Sequence, residues 1–168
     1  MRLQTKNEYV GRLLETPILS SLDILKKNRC IVQYWANYPK PHNGDFDAVV
    51  EMHEGTYLDF EAMNLNPIYQ YDETSWRVRN LTNQLDDARK TFGTVSKLVL
   101  ISTDAVTAKS TWLKEHDIEL LNIGKQVRVM DKAEYDEFVT FLAQELSSLI
   151  RKIGKNAYMG QLNRRVIP

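Results

Sequence analysis

Two short segments, Phe46–Met52 and Tyr57–Met63, alternate along their length and are separated only by His53-Glu54-Gly55-Thr56. Alternation with period two on both sides of a glycine-bearing turn predicts an antiparallel hairpin. No other feature constrains the fold as tightly. Along the first strand Asp47, Val49 and Glu51 share one face, while Phe46, Ala48, Val50 and Met52 share the other. Along the second, Tyr57, Asp59, Glu61 and Met63 share a face opposite Leu58, Phe60 and Ala62. The pleat can therefore bring Asp47, Asp59 and Glu61 to one side of neighbouring strands. Like charges across strands repel, so the clustering is unfavourable until a cation neutralises it. Oxygen-only donors favour Mg²⁺ or Mn²⁺ over zinc. The alternative is a solvent-facing strand pair that merely carries acids.

The rest of the chain reads as α/β: a mixed central sheet flanked by helices. Residues 5–14 and 18–27 have helical spacing, with Pro17 expected to separate them. Cys30–Ala36 is rich in β-branched and aromatic residues and predicts a strand, followed by a turn-forming loop, Asn37–Gly44. Val78–Phe92 predicts a helix that Gly93 ends, and Lys97–Ile101 a buried strand. Thr103 or Asp104 can cap a helix reaching about His116, before a short strand, Ile118–Leu121. Val127–Met130 is a further strand candidate. Asp131 caps a last helix whose stripe of Tyr135, Phe138, Val139, Leu142, Leu146, Leu149, Ile150 and Ile153 marks core or a dimer contact. With 168 residues and no linker or repeat, a single domain is expected, ending in a basic tail from about residue 154.

Charge is balanced, 22 Lys+Arg against 22 Asp+Glu, but unevenly placed. Between Pro41 and Trp76 stand eight acids and no Lys or Arg; from Leu149 onward come Arg151, Lys152, Lys155, Arg164 and Arg165 and no acid. An acidic centre with a basic end suits a metal-binding cleft beside a phosphate-binding surface, with Arg151, Lys152, Arg164 and Arg165 the candidate DNA contacts. It equally suits solvated faces. Gly124-Lys125 and Gly154-Lys155 lack the rest of a phosphate-binding loop, and no G-x-S-x-G is present. His42, His53 and His116 are too scattered for zinc, and one cysteine, Cys30, makes no internal disulfide. A cytoplasmic chain with no membrane segment is expected.

One local string is more specific. Tyr57-Leu58-Asp59-Phe60-Glu61-Ala62 resembles the Y-I-D-F-E-A-K stretch of the RecU-like Holliday-junction resolvases, within the restriction-endonuclease-like PD-(D/E)xK superfamily. Gly11-Arg-Leu-Leu-Glu15 followed by Ile18 and Ser21 resembles that family's opening helix. Pro39-Lys40-Pro41 is similar to its K-P-T-P segment, and Gln84 to the glutamine of a helical H-Q pair. The resemblance spans roughly residues 10 to 102. It implies a DNA endonuclease of recombination and repair, dependent on Mg²⁺ or Mn²⁺, and a possible homodimer. Asp47 and Glu61 would hold the metal, Glu15 would be an outer carboxylate, and Gln84 would support the site.

Two departures stand beside this. The lysine two residues beyond the glutamate orients the attacking water in that superfamily; here the position is Met63, whose thioether has neither charge nor donor. Lys90, Arg77 and Arg79 are candidate replacements. The basic stalk between the first two strands is reduced to the Asn37–Gly44 loop, with Lys40 its single cation. Three readings therefore stay open: an endonuclease acting on branched or unusual DNA, a catalytically inactive nuclease-fold module that binds DNA or protein, and an interaction protein with a decorative acidic hairpin.

Overall fold

The computed structural model describes residues 6–41, 44–62, 76–93, 95–102, 114–124 and 130–166, with side chains from residue 14 to 155 apart from 76–78, 95 and 96. Helix α1 (Lys6–Lys27) leads into strands β1 (Gln33–Pro39), β2 (Asp45–Glu51) and β3 (Tyr57–Ala62). Helix α2 (Trp76–Phe92), strands β4 (Val95–Ser102) and β5 (Ile118–Asn122), and helix α3 (Lys132–Val166) follow. The five strands lie in chain order in one sheet. β1, β2 and β3 are mutually antiparallel, while β4 and β5 run parallel to β3. Among the described residues the architecture is α/β, a five-stranded mixed sheet with three long helices.

Two clusters of buried side chains show how the layers stack. Leu14, Ile18, Leu22 and Leu25 of α1 and Phe138, Leu142, Leu146, Ile150 and Ile153 of α3 pack against Ala48, Val50, Leu58, Phe60, Val99 and Ile101. Leu81, Leu85 and Ala88 of α2 pack with Val49, Leu98, Leu100 and Ile118 on the other face. The α3 stripe is thus internal core within one chain. Its start is as expected, since Glu134 donates its backbone N–H to Asp131 Oδ1 at 2.9 Å. Gly93, at φ +81°, closes α2 with its N–H on the Arg89 carbonyl at 2.9 Å. The hairpin turn is also as expected, Met52 N–H bonding to the Thr56 carbonyl at 2.8 Å.

Three expectations need correction. Pro17 lies inside α1 and does not divide it. A proline there forgoes one backbone bond and costs about 3 kcal/mol. Keeping the helix whole sets Leu14, Ile18, Leu22 and Leu25 on one buried line, and each such side chain contributes about 1.5–3 kcal/mol. The burial wins. β1 begins at Gln33 and runs through Asn37 to Pro39. Asn37 tolerates φ +53°, so the ladder resumes with Tyr38 opposite Phe46. Finally, Phe46 leaves the face of Ala48 and Val50 and joins Val49 in the α2-side cluster. There it meets Phe92 at 6.0 Å between ring centroids.

The segment from residue 154, expected as a tail, is helical through Val166. Met63, the body of the 103–116 helix and residues 127–129 lie outside the described residues. Lys114 and Glu115 are helical where that helix was expected to end. No helix among the described residues is long and apolar enough to cross a membrane.

Candidate metal centre

The register that pairs Ala48 with Phe60 and Val49 with Asp59 carries Asp47 up to Glu61. Asp47 Oδ2 accepts the backbone N–H of Ala62 at 2.8 Å, which ties it to the end of β3. Asp59 and Glu61 stand opposite Leu98 and Leu100 of β4, on the face that α2 covers. Asp59 is 0% exposed and Glu61 6%. Strand geometry, not chance proximity, brings the three carboxyls together. Glu15 of α1 joins them as a hydrogen-bond partner of Asp47.

Burying carboxylates side by side is costly, and the chemistry of each shows it. Burial is the largest effect on Asp47, raising its pKa; the Ala62 N–H, Glu61, the Lys40 charge and Glu15 act the other way. Glu61 lies well above the ordinary glutamate range, chiefly through burial, then through the charges of Asp59 and Asp47. Its carboxyl bonds to Asp47 in the sense that favours a protonated Glu61 donating to an ionised Asp47. Asp59 is pushed up to about 7, by burial first, with Lys40 opposing and Asp47 adding to the rise. Neither Asp59 oxygen has a hydrogen-bond partner among the described residues. Glu61 stands beside it, close enough to act on its charge but outside good hydrogen-bond geometry.

A buried polar atom without a partner costs about 1–3 kcal/mol, and more when charged. Asp59 presents two such atoms on one side chain. The sequence motif singles out Asp47 and Glu61 as ligands and leaves Asp59 out, although the pleat places it on their face. Its complete burial without a hydrogen-bond partner among the described residues is the sign that the motif lacks. The donor set, all carboxylate oxygen, fits a hard divalent cation such as Mg²⁺ or Mn²⁺. Among the described residues no three Asp, Glu, His or Cys side chains are already spaced as a coordination shell. The raised pKa values of Asp47 and Glu61 mark the repulsion that a proton or a cation would relieve.

Other expected residues distribute as follows. Gln84 is half-buried on α2, between Leu81 and Leu85, on the acid-bearing side of the sheet. Ser102, buried on β4 two residues after Leu100, has a hydroxyl with no partner among the described residues. Arg151 is exposed and lines an open groove of about 540 Å³ between α1 and α3, together with Cys30 and Ser147. That groove lies in the layer opposite α2. Lys152 pairs with Glu119 at 3.4 Å. The side chains of Arg164 and Arg165, on the last turns of α3, lie outside the described residues, as does that of Arg77. Lys90 and Arg79 are exposed on α2. Among the described side chains, the cation whose charge bears on the acids is Lys40.

No protein-family model matches the chain. No curated protein and no solved structure matches it either.

Proposed function

We propose that this chain is a metal-dependent DNA endonuclease with a restriction-endonuclease-like core, of the kind that the RecU-like string Tyr57–Ala62 implies. The observation that carries the reading is Asp59, a fully buried carboxyl without a hydrogen-bond partner among the described residues, two residues before Glu61 on β3 and diagonal to Asp47. The element order supports it: a helix bearing Glu15, an antiparallel β1–β3 meander, a helix, then a parallel strand beside β3. That is the order in which the resembling motifs occur.

In this reading Asp47, Asp59 and Glu61 are the residues that would hold Mg²⁺ or Mn²⁺. Such an ion would supply Lewis-acid stabilisation of phosphate charge and lower the pKa of water. The protein's own contribution is positional. Ala62 N–H fixes one Asp47 oxygen, leaving the other to face the cluster. The burial of Asp59 and Glu61 keeps the surroundings poor in water, which strengthens each charge interaction. Because burial raises the Glu61 pKa, a cation held there would compete with a proton, which would couple its binding to pH. Glu15 supports Asp47 from α1.

The test uses supercoiled plasmid and a four-way junction of oligonucleotides, incubated with Mg²⁺, Mn²⁺ or EDTA. Metal-dependent cutting by the wild type, abolished in Asp47→Ala and Glu61→Gln, is the expected result. Mn²⁺ at a hundredfold excess over its Kd should also stabilise the wild type by about 2.7 kcal/mol and Asp47→Ala by far less. Thermal curves that shift with metal, without cutting of any DNA, would replace the enzyme by a binding module of the same fold. Curves that ignore metal in both proteins would remove the metal centre itself.

A further inference from the structure

The acidic pocket has a cation of its own, and it comes from the far side of the β1–β2 turn. Lys40 directly follows β1, where Pro39 stands opposite Asp45 and Tyr38 opposite Phe46. Its backbone N–H closes the turn on the Gly44 carbonyl at 2.9 Å. Its side chain is half-buried, and Nζ lies 5.5 Å from the centroid of the Phe46 ring. An ammonium over a ring face at that distance is held by the ring's electron density. Phe46 immediately precedes Asp47, so the ring contact holds the Lys40 ammonium beside the start of β2, next to the residue that carries the first acid. Asp47, tied to the Ala62 N–H at 2.8 Å, stands next to that ring in sequence, and the β2–β3 register carries Glu61 and Asp59 alongside it. Two other basic side chains of α2 and β4 are committed elsewhere: Arg89 to Asp117 at 2.7 Å, and Lys97 to Glu119 at 3.9 Å.

We infer that Lys40, held over Phe46 at the β1–β2 turn, supplies the positive charge of the acidic pocket that Met63 cannot. The inference rests on the endonuclease reading and names the residue that completes it. Phosphodiester hydrolysis joins a water oxygen to phosphorus and breaks the bond from phosphorus to the leaving sugar oxygen. The attacking water gives up a proton to solvent and the leaving oxygen takes one from solvent, so no further reactant is needed. Negative charge grows on the non-bridging oxygens during this exchange, and a fixed ammonium beside them lowers its cost. Placing the lysine after β1 rather than on β3 also accounts for a methionine being tolerated two residues after Glu61.

The experiment compares the full-length wild type with Lys40→Met, Lys40→Arg and the double variant Lys40→Met/Met63→Lys. Each is assayed for Mn²⁺-dependent cutting of the junction and, by calorimetry at low salt, for binding of Mn²⁺ alone. Methionine keeps the apolar stem on Phe46 and removes only the charge. Lys40→Met should cut about 10²–10³-fold more slowly, the usual scale for one charge-stabilising group. It should also bind Mn²⁺ more tightly, by roughly tenfold, because a like charge has left the neighbourhood of a dication. Simple misfolding would weaken both. Lys40→Arg should retain most of the rate, and the double variant should recover part of it. A Lys40→Met protein that binds Mn²⁺ and cuts as the wild type does overturns the inference and leaves the endonuclease standing. A wild type that neither binds Mn²⁺ nor cuts overturns both.

Discussion

Asp59→Asn removes a charge that the fold buries without a partner, and the sign of its effect depends on pH. In the folded protein the Asp59 carboxyl titrates at about 7, against an ordinary value of 3.8. Because the folded value is raised, the neutral acid is tolerated and the carboxylate is penalised. No penalty exists below pH 3.8, where folded and unfolded chains both hold the proton. The penalty grows as pH rises and is complete above about 7, so stability falls with rising pH. A difference of roughly three pH units corresponds to about 4 kcal/mol at most. Part of the titration belongs to the Asp47–Glu61 neighbours, which share protons with it, so about 2–4 kcal/mol is expected from the single change. At pH 4 a neutral Asp and an Asn are nearly the same size and equally unpartnered, so the two proteins should unfold alike. At pH 8 the variant should be the more stable, with a melting temperature higher by about 4–16 °C on the scale of 2–4 °C per kcal/mol for a chain of this length. Urea unfolding of both proteins at half-unit steps from pH 4 to 8 gives the difference curve directly. A flat curve, or a variant that loses stability at pH 8, would refute the buried carboxylate as a stored cost. Saturating Mn²⁺ should restore the wild type at pH 8 and do little for Asp59→Asn.

Phe92→Ala should cost about 2–4 kcal/mol in urea unfolding, because Trp35, Tyr38, Phe46 and Tyr57 all meet this half-buried ring within 6.0 Å; a change under about 1 kcal/mol would show the rings to be loosely packed. If the end of α3 touches phosphates, neutralising Arg164 and Arg165 together should flatten the salt dependence of DNA binding by about 0.9 log units for each phosphate that is no longer neutralised. Identical slopes in a filter-binding titration would take the end of that helix out of the interface.

Much of the fold was legible wherever one residue type has one local use. Gly93 at a helix end and Asp131 at a helix start behave as their backbone chemistry demands. The α3 stripe and the hairpin turn follow from periodicity alone. The failures share a cause, which is tertiary packing outweighing a local preference. Pro17 stays helical because four apolar residues on one line are worth more than one missing hydrogen bond. Phe46 abandons its strand's alternation because Phe92 offers it a ring to pack on. At the site, the pairing of Asp47 with Glu61 was legible because pleat and turn fix the register. The place of Lys40 over Phe46 was not, since it comes from where a turn sets a long side chain, and no spacing rule encodes that.

Helix α1 and helix α3 meet across most of the chain's length: Ser20 bonds to Tyr135 at 2.8 Å, and Ser21 to the Val139 carbonyl at 3.2 Å. During synthesis, at roughly 5–20 residues per second, the first helix therefore leaves the ribosome long before its cover exists. Leu14, Ile18, Leu22 and Leu25 can settle on Ala48, Val50, Leu58 and Phe60 once the meander has formed, but their α3-facing side stays open until Phe138 to Ile153 have emerged. The β1–β3 meander needs no such delay, because each strand finds its partner within one turn. The layer shared by α1 and α3 is therefore completed only after the sheet beneath it has been made.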